Sequence, residues 1–174
     1  FINDKLKITK LIWPEWELPY DLEAAVSLPG KLNRFIVMES RGKCYEITVD
    51  PKDFRMDVLH TFTLPGLKPK MNLEGLNIFP SGQGLVFIYA DRGSDSRKST
   101  LFTAFFNPKE KSFYELSRFE FGLPIPKTHR RNIADLAIKE DGSLWTSATS
   151  DPGDDGPFTT AIYELGSINH AGTF

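Results

Sequence analysis

Cysteine is the scarcest chemistry in this chain. Cys44 stands alone among 174 residues, so no intrachain disulfide can hold the fold. A lone thiol leans toward a reducing compartment. Only His60, His129 and His170 supply imidazole, and none forms a paired-His metal motif. There is no Gly-x-Ser-x-Gly elbow and no glycine-rich phosphate loop, which removes two common catalytic signatures. Neither sign of charge dominates: the formal net charge is −2, without the basic footprint of a general nucleic-acid binder. No apolar run approaches the roughly 20 residues that a membrane helix needs. Helical periodicity is nearly missing as well. The chain opens on Phe1 rather than Met, which fits either a processed leader or a cut from a longer polypeptide.

What is present is strand, turn and strand, again and again. Fourteen phenylalanines suit broad sheet surfaces filled by rings. Asp21-Leu22-Glu23, Asn72-Leu73-Glu74 and Asn132-Ile133-Ala134-Asp135 open three similar blocks, about 50 and about 60 residues apart. Periods of that size signal stacked or radial repeats. In each block a first strand (24–28, 75–79, 136–139) runs into a turn at Pro29-Gly30, Pro80-Ser81-Gly82 or Asp141-Gly142. The second strand is the most apolar (35–38, 85–89, 144–147), and a third follows (44–49, 101–106, 161–165). A fourth, outer strand spans 56–64 and 113–121, each running into Leu-Pro.

The third block ends after its third strand. The N-terminal stretch Lys5 to Trp13 precedes any block and also runs into a Leu-Pro pair, Leu18-Pro19. The expectation is an all-β chain built as a β-propeller of four-stranded blades, three blades per chain. Residues 1–20 would be a displaced outer strand, 21–71, 72–131 and 132–174 the three blades. Two chains would close a six-bladed homodimer, each N-terminal strand completing the last blade of its partner and covering a free edge. Half of a longer ring and a non-propeller β sandwich are the alternatives.

In that fold class, the starts of the innermost strands and the loops joining second to third strands open on one face. Glu23, Glu74 and Asp135 lie at the first position and are the metal candidates. Hard oxygen ligands suit Ca²⁺ or Mg²⁺, and crowded carboxylates need cations or arginines to stay ionised. The joining loops repeat an acid, an Arg and a Gly: Glu39/Arg41/Gly42 and Asp91/Arg92/Gly93. The third block has instead the acidic loop Asp151 to Gly156, which lacks EF-hand spacing. Lys98, in the polar loop after Arg92, and His129 and Arg130, before the third block, add positive charge suited to an anion. The same acids and arginines would equally lock neighbouring blades together.

The run Asn72-Leu73-Glu74-Gly75-Leu76, its Pro-Ser-Gly turn and the strand ending Asp91-Arg92-Gly93 resemble the phytase-like propellers, also described as the esterase-like group of the phytase family. Asp21-Leu22-Glu23 with Glu39-Ser40-Arg41-Gly42 is similar, while Ala134-Asp135 departs from the pattern. The resemblance spans roughly 21–165. It implies a six-bladed ring with acids at the channel mouth and calcium-assisted phosphoester hydrolysis. Three functions follow from the sequence. The favoured one is binding of a small anionic ligand or partner at the mouth, with or without a divalent cation. The others are a calcium-dependent phosphoesterase and a purely structural scaffold.

Overall fold

The computed structural model describes residues 8–14, 17–154 and 156–174. The described residues form eleven strands and no helix, and every strand pairing is antiparallel. The first sheet holds β1 (Leu22–Ser27), β2 (Arg34–Glu39), β3 (Lys43–Val49) and β4 (Met56–Thr63), in that order. The second repeats it with β5 (Leu73–Ser81), β6 (Gly84–Asp91), β7 (Ser99–Asn107) and β8 (Ser112–Phe121). The third has three strands: β9 (Arg130–Ile138), β10 (Ser143–Ser150) and β11 (Thr159–Ser167). All-β character, the three repeats and the short third sheet agree with the pattern of the sequence.

Side-chain pattern explains the layering. Residues alternate faces along a strand, so a strand covered on both faces is apolar throughout and one covered on a single face alternates. β6 and β7 are buried almost along their whole length, because the second sheet lies between the other two. Phe87, Tyr89, Phe102 and Phe106 face the first sheet, meeting Ile36, Met38 and Cys44. Val86, Ile88, Leu101 and Phe105 face the third, meeting Ile133, Leu136 and Leu144. β10 alternates buried and half-buried positions instead. Among the described residues no sheet packs on its outward face.

The three sheets approach one another along β1, β5 and β9. Leu73 N–H donates to Ser40 O at 2.8 Å and Asn132 N–H to Arg92 O at 2.9 Å. Asn77 Nδ2 donates to Leu136 O at 2.6 Å. Gly75 makes the approach possible: a Cβ there would stand 2.5 Å from Leu136 Cγ.

One expectation shifts. The first strand of the third sheet begins at Arg130, not near Leu136. Its register against β10 then slips, with Arg131 opposite Thr149 and Asp135 opposite Ser147. Residues between them bulge, which redirects side chains at a strand's head. Of the displaced N-terminal strand, residues 1–7, 15 and 16 lie outside the described residues. Among those described, Leu11 and Trp13 pack on the far face of the first sheet, against a cluster containing Val37, Tyr45 and Ile47.

Candidate functional site

The repeated acids come first, because they set the geometry around them. Glu39 ends β2 and Asp91 ends β6, and both are buried. Each carboxylate accepts a backbone N–H from the segment leading into the preceding strand. Tyr20 N donates to Glu39 Oε1 and Asn72 N to Asp91 Oδ1, both at 2.9 Å. A second donor completes each clamp: Tyr45 Oη at 2.6 Å on Glu39, and Arg97 Nη2 at 2.9 Å on Asp91. Burial, then the Glu39 bond, pushes the Tyr45 phenol upward. Both carboxylates are engaged by these donors, and among the described residues neither joins the lining of the hollow beside them.

The Arg and Gly of the repeat do different work. Gly42 and Gly93 have φ of +80° and +72°, the left-handed region that glycine tolerates best. They turn the chain so that Arg41 and Arg92 face a common hollow of about 620 Å³. Lys70 and Arg97 also line it, and Asp21 is the one carboxylate there among the described residues. Arg41 stacks on Tyr20, its Cζ 4.2 Å from the ring centroid.

Glu74 anchors the centre. Its carboxylate is 4% exposed, and Oε1 accepts Nη1 of both Arg92 and Arg131 at 2.8 Å. Arg131 also pairs with Asp151 of the acidic loop. A guanidinium carries five N–H donors, so these pairs leave donors on Arg92 for a ligand. Glu23 lies close enough to feel the group. Burial, then repulsion from Asp21 and Glu74, pushes its carboxyl upward, while Arg131 and Arg92 pull it back.

The remaining predicted residues separate. Lys98 lines a neighbouring hollow of about 350 Å³ with Lys68 and Arg118. His129 and Arg130 line a smaller one, about 180 Å³, that shares Arg92. Their backbone N–H groups both donate to Asp95 at 3.0 Å. Those bonds hold the Asp95 carboxyl below its ordinary range, the one from Arg130 contributing most. Asp135 sits elsewhere, in a hollow of about 180 Å³ on the outward face of the third sheet with Trp145 and Ile162. Thus Glu23 and Glu74 come together and Asp135 does not join them. Among the described residues no group of three His, Cys, Asp or Glu side chains is placed to hold a metal. Asp155 of the acidic loop lies outside the described residues.

Arg97, Lys70 and Arg131 belong to the basic stretches that flank the second and third blocks in the sequence, whereas nothing in the residue order singles out Tyr20. Arg131 could have been found from the register: it follows the strand's first residue, Arg130, as Glu23 follows Leu22 and Glu74 follows Leu73. The third sheet therefore offers a cation where the other two offer an acid. No protein-family model matches the chain, and no curated protein matches it significantly.

Proposed function

We propose that this chain binds a small anionic ligand in the hollow between its first and second sheets. One observation carries the reading: among the described residues, Arg41, Lys70, Arg92 and Arg97 line that space against a single carboxylate, Asp21. Arginine offers paired donors to phosphate or carboxylate. Arg92 and Arg97 are already oriented by buried acids, so little ordering entropy remains to oppose binding. Titration calorimetry with inorganic phosphate tests it. Saturable binding that Arg92→Ala and Lys70→Ala weaken supports the reading, and no binding at millimolar phosphate removes it.

Calcium-dependent phosphoester hydrolysis, with Glu23, Glu74 and Asp135 holding the ion, is the alternative that the phytase-like resemblance suggests. The engagement of Glu74 by two guanidiniums favours simple binding. Phosphatase turnover that appears with Ca²⁺ and is lost in Glu23→Gln would reverse that preference.

We further propose that the three sheets are propeller blades and that two chains close a six-bladed ring. In support, among the described residues the third sheet has one strand fewer than the others, and β11 is its edge strand. Unpaired edges invite strand addition. Light scattering coupled to size exclusion gives the mass directly. Twice 19.7 kDa is expected, and a stable monomer would sink the closure.

A further inference from the structure

The 620 Å³ hollow is larger than a bare inorganic anion requires. It lies within the 300–1,000 Å³ typical of sites for small organic ligands. Phosphate alone would leave most of it to solvent. The lining also contains something that an anion by itself does not use, a stacked pair of flat groups.

Tyr20 is 54% exposed, and the Arg41 guanidinium lies over its ring. Both are fixed from behind. Tyr20 N–H donates to Glu39, and Ser40 N–H, beside Arg41, donates to Asp21 O at 2.9 Å. Among the described residues Arg41 has no carboxylate partner. A guanidinium is planar and weakly hydrated, and it stacks on aromatic faces. The pair is therefore a ready platform for a further planar ring.

The same hollow holds acceptors as well as donors. Asn72 Oδ1 is buried without a hydrogen-bond partner among the described residues, a condition that costs free energy until a donor arrives. Asn72 and the exposed Asp21 both line the space. An amino or hydroxyl group on a ligand would satisfy such acceptors. Met71 contributes a polarisable thioether suited to ring contact.

We infer that the ligand is an anion carrying a planar ring and hydrogen-bond donors, with a nucleoside monophosphate as the representative chemistry. The inference rests on the anion-binding reading above. The phosphate meets Arg92, Arg97 and Lys70, the ring lies against Tyr20 and Arg41, and the sugar or ring donors meet Asp21 and Asn72. An aromatic carboxylate shares the ring and the charge, so it is the other source to distinguish.

The test is calorimetry on the whole chain with adenosine monophosphate, ribose 5-phosphate, inorganic phosphate and benzoate. Adenosine monophosphate should bind at least about fivefold more tightly than ribose 5-phosphate. Base–aromatic stacking of roughly 1–3 kcal/mol corresponds to about 5- to 150-fold. Tyr20→Ala should erase the difference without weakening ribose 5-phosphate, and Tyr20→Phe should keep it. Arg41→Lys, which retains charge but loses the plane, should reduce it. Benzoate binding more tightly than adenosine monophosphate would support the platform and assign it to a carboxylate source. Equal affinity for all three phosphate compounds would overturn this inference alone. Failure of every phosphate compound and of benzoate would overturn it together with the anion reading.

Discussion

Arg131, at the head of β9, donates to Glu74 of β5 at 2.8 Å across the boundary between the second and third sheets. The oxygen it reaches, Oε1, also accepts Arg92 at 2.8 Å. One buried acid thus sets the positions of two guanidiniums from different sheets. Structure and ligand affinity are coupled through it, with opposite signs.

Glu74→Gln should separate the two effects. Hydrogen bonds to charged groups contribute about 1.5–3 kcal/mol. Both guanidiniums are about a third exposed, and solvent screening brings the expected loss to about 1–2 kcal/mol. Urea denaturation measures it. Phosphate affinity should rise severalfold, since glutamine keeps an oxygen acceptor that orients Arg92 while the competing negative charge is gone. Weaker phosphate binding in a folded variant would contradict this account of the hollow.

Gly75→Ala probes the approach of β5 to β9. The added methyl meets Leu136 at 2.5 Å, and overpacking of this kind costs about 1–3 kcal/mol. Leu136→Ala in the same background should recover part of the loss by making room. Two losses that simply add would show that the residues are not coupled.

Glu23 imposes a pH dependence. Its carboxyl is pushed upward in the fold, first by burial and then by Asp21 and Glu74. The folded state therefore holds the proton more tightly than the unfolded chain. The contribution of Glu23 to stability is greatest below the ordinary glutamate pKa and falls as pH rises through the raised value. Glu23→Gln should gain stability relative to the parent across the mildly acidic range above about pH 4. It should show no further relative gain once Glu23 is ionised in both states. Thermal melts at a series of pH values read this, and parallel curves would refute it.

Ile162, 72% exposed on β11, offers a clean test of the proposed ring. It lies beside Trp145 on a face that no sheet of the described residues covers. Ile162→Asp should halve the particle mass while leaving the melting temperature of the monomer nearly unchanged, as surface substitutions do. An unchanged mass above 19.7 kDa would place the contact elsewhere.

Cys44 is fully buried between the first two sheets, and burial pushes its thiol far upward. The thiolate is the reactive form. A thiol reagent at pH 8 should therefore leave the folded protein unmodified and label it quantitatively in denaturant. Fast labelling under native conditions would mean that the interface between these sheets opens readily.

How much of the site could be read from residue order depends on how local each cause is. The acid-Arg-Gly recurrence was legible because each turn is closed within its own loop: Gly42 N–H donates to Glu39 O at 2.8 Å, three residues away. The purpose of its acid was not. Glu39 and Asp91 face back into the fold and hold Tyr20 and Asn72, 19 residues earlier in each case. Residue order opens the third block at Asn132, which groups Asp135 with Glu23 and Glu74. A bulge in β9 moves the head of the strand to Arg130 and gives Arg131 that place.

Order alone determined the strands, the three repeats and the missing outer strand of the last sheet. Alternation, turn residues and repeat length act over a few residues, so local stereochemistry expresses them without help from the rest of the chain. The tertiary structure decided which charges meet. Arg131 and Glu74 are 57 residues apart, and their contact depends on how β9 packs against β5. That packing follows from a glycine facing a leucine and from a slip in register, both of which acquire meaning only when two sheets are brought together.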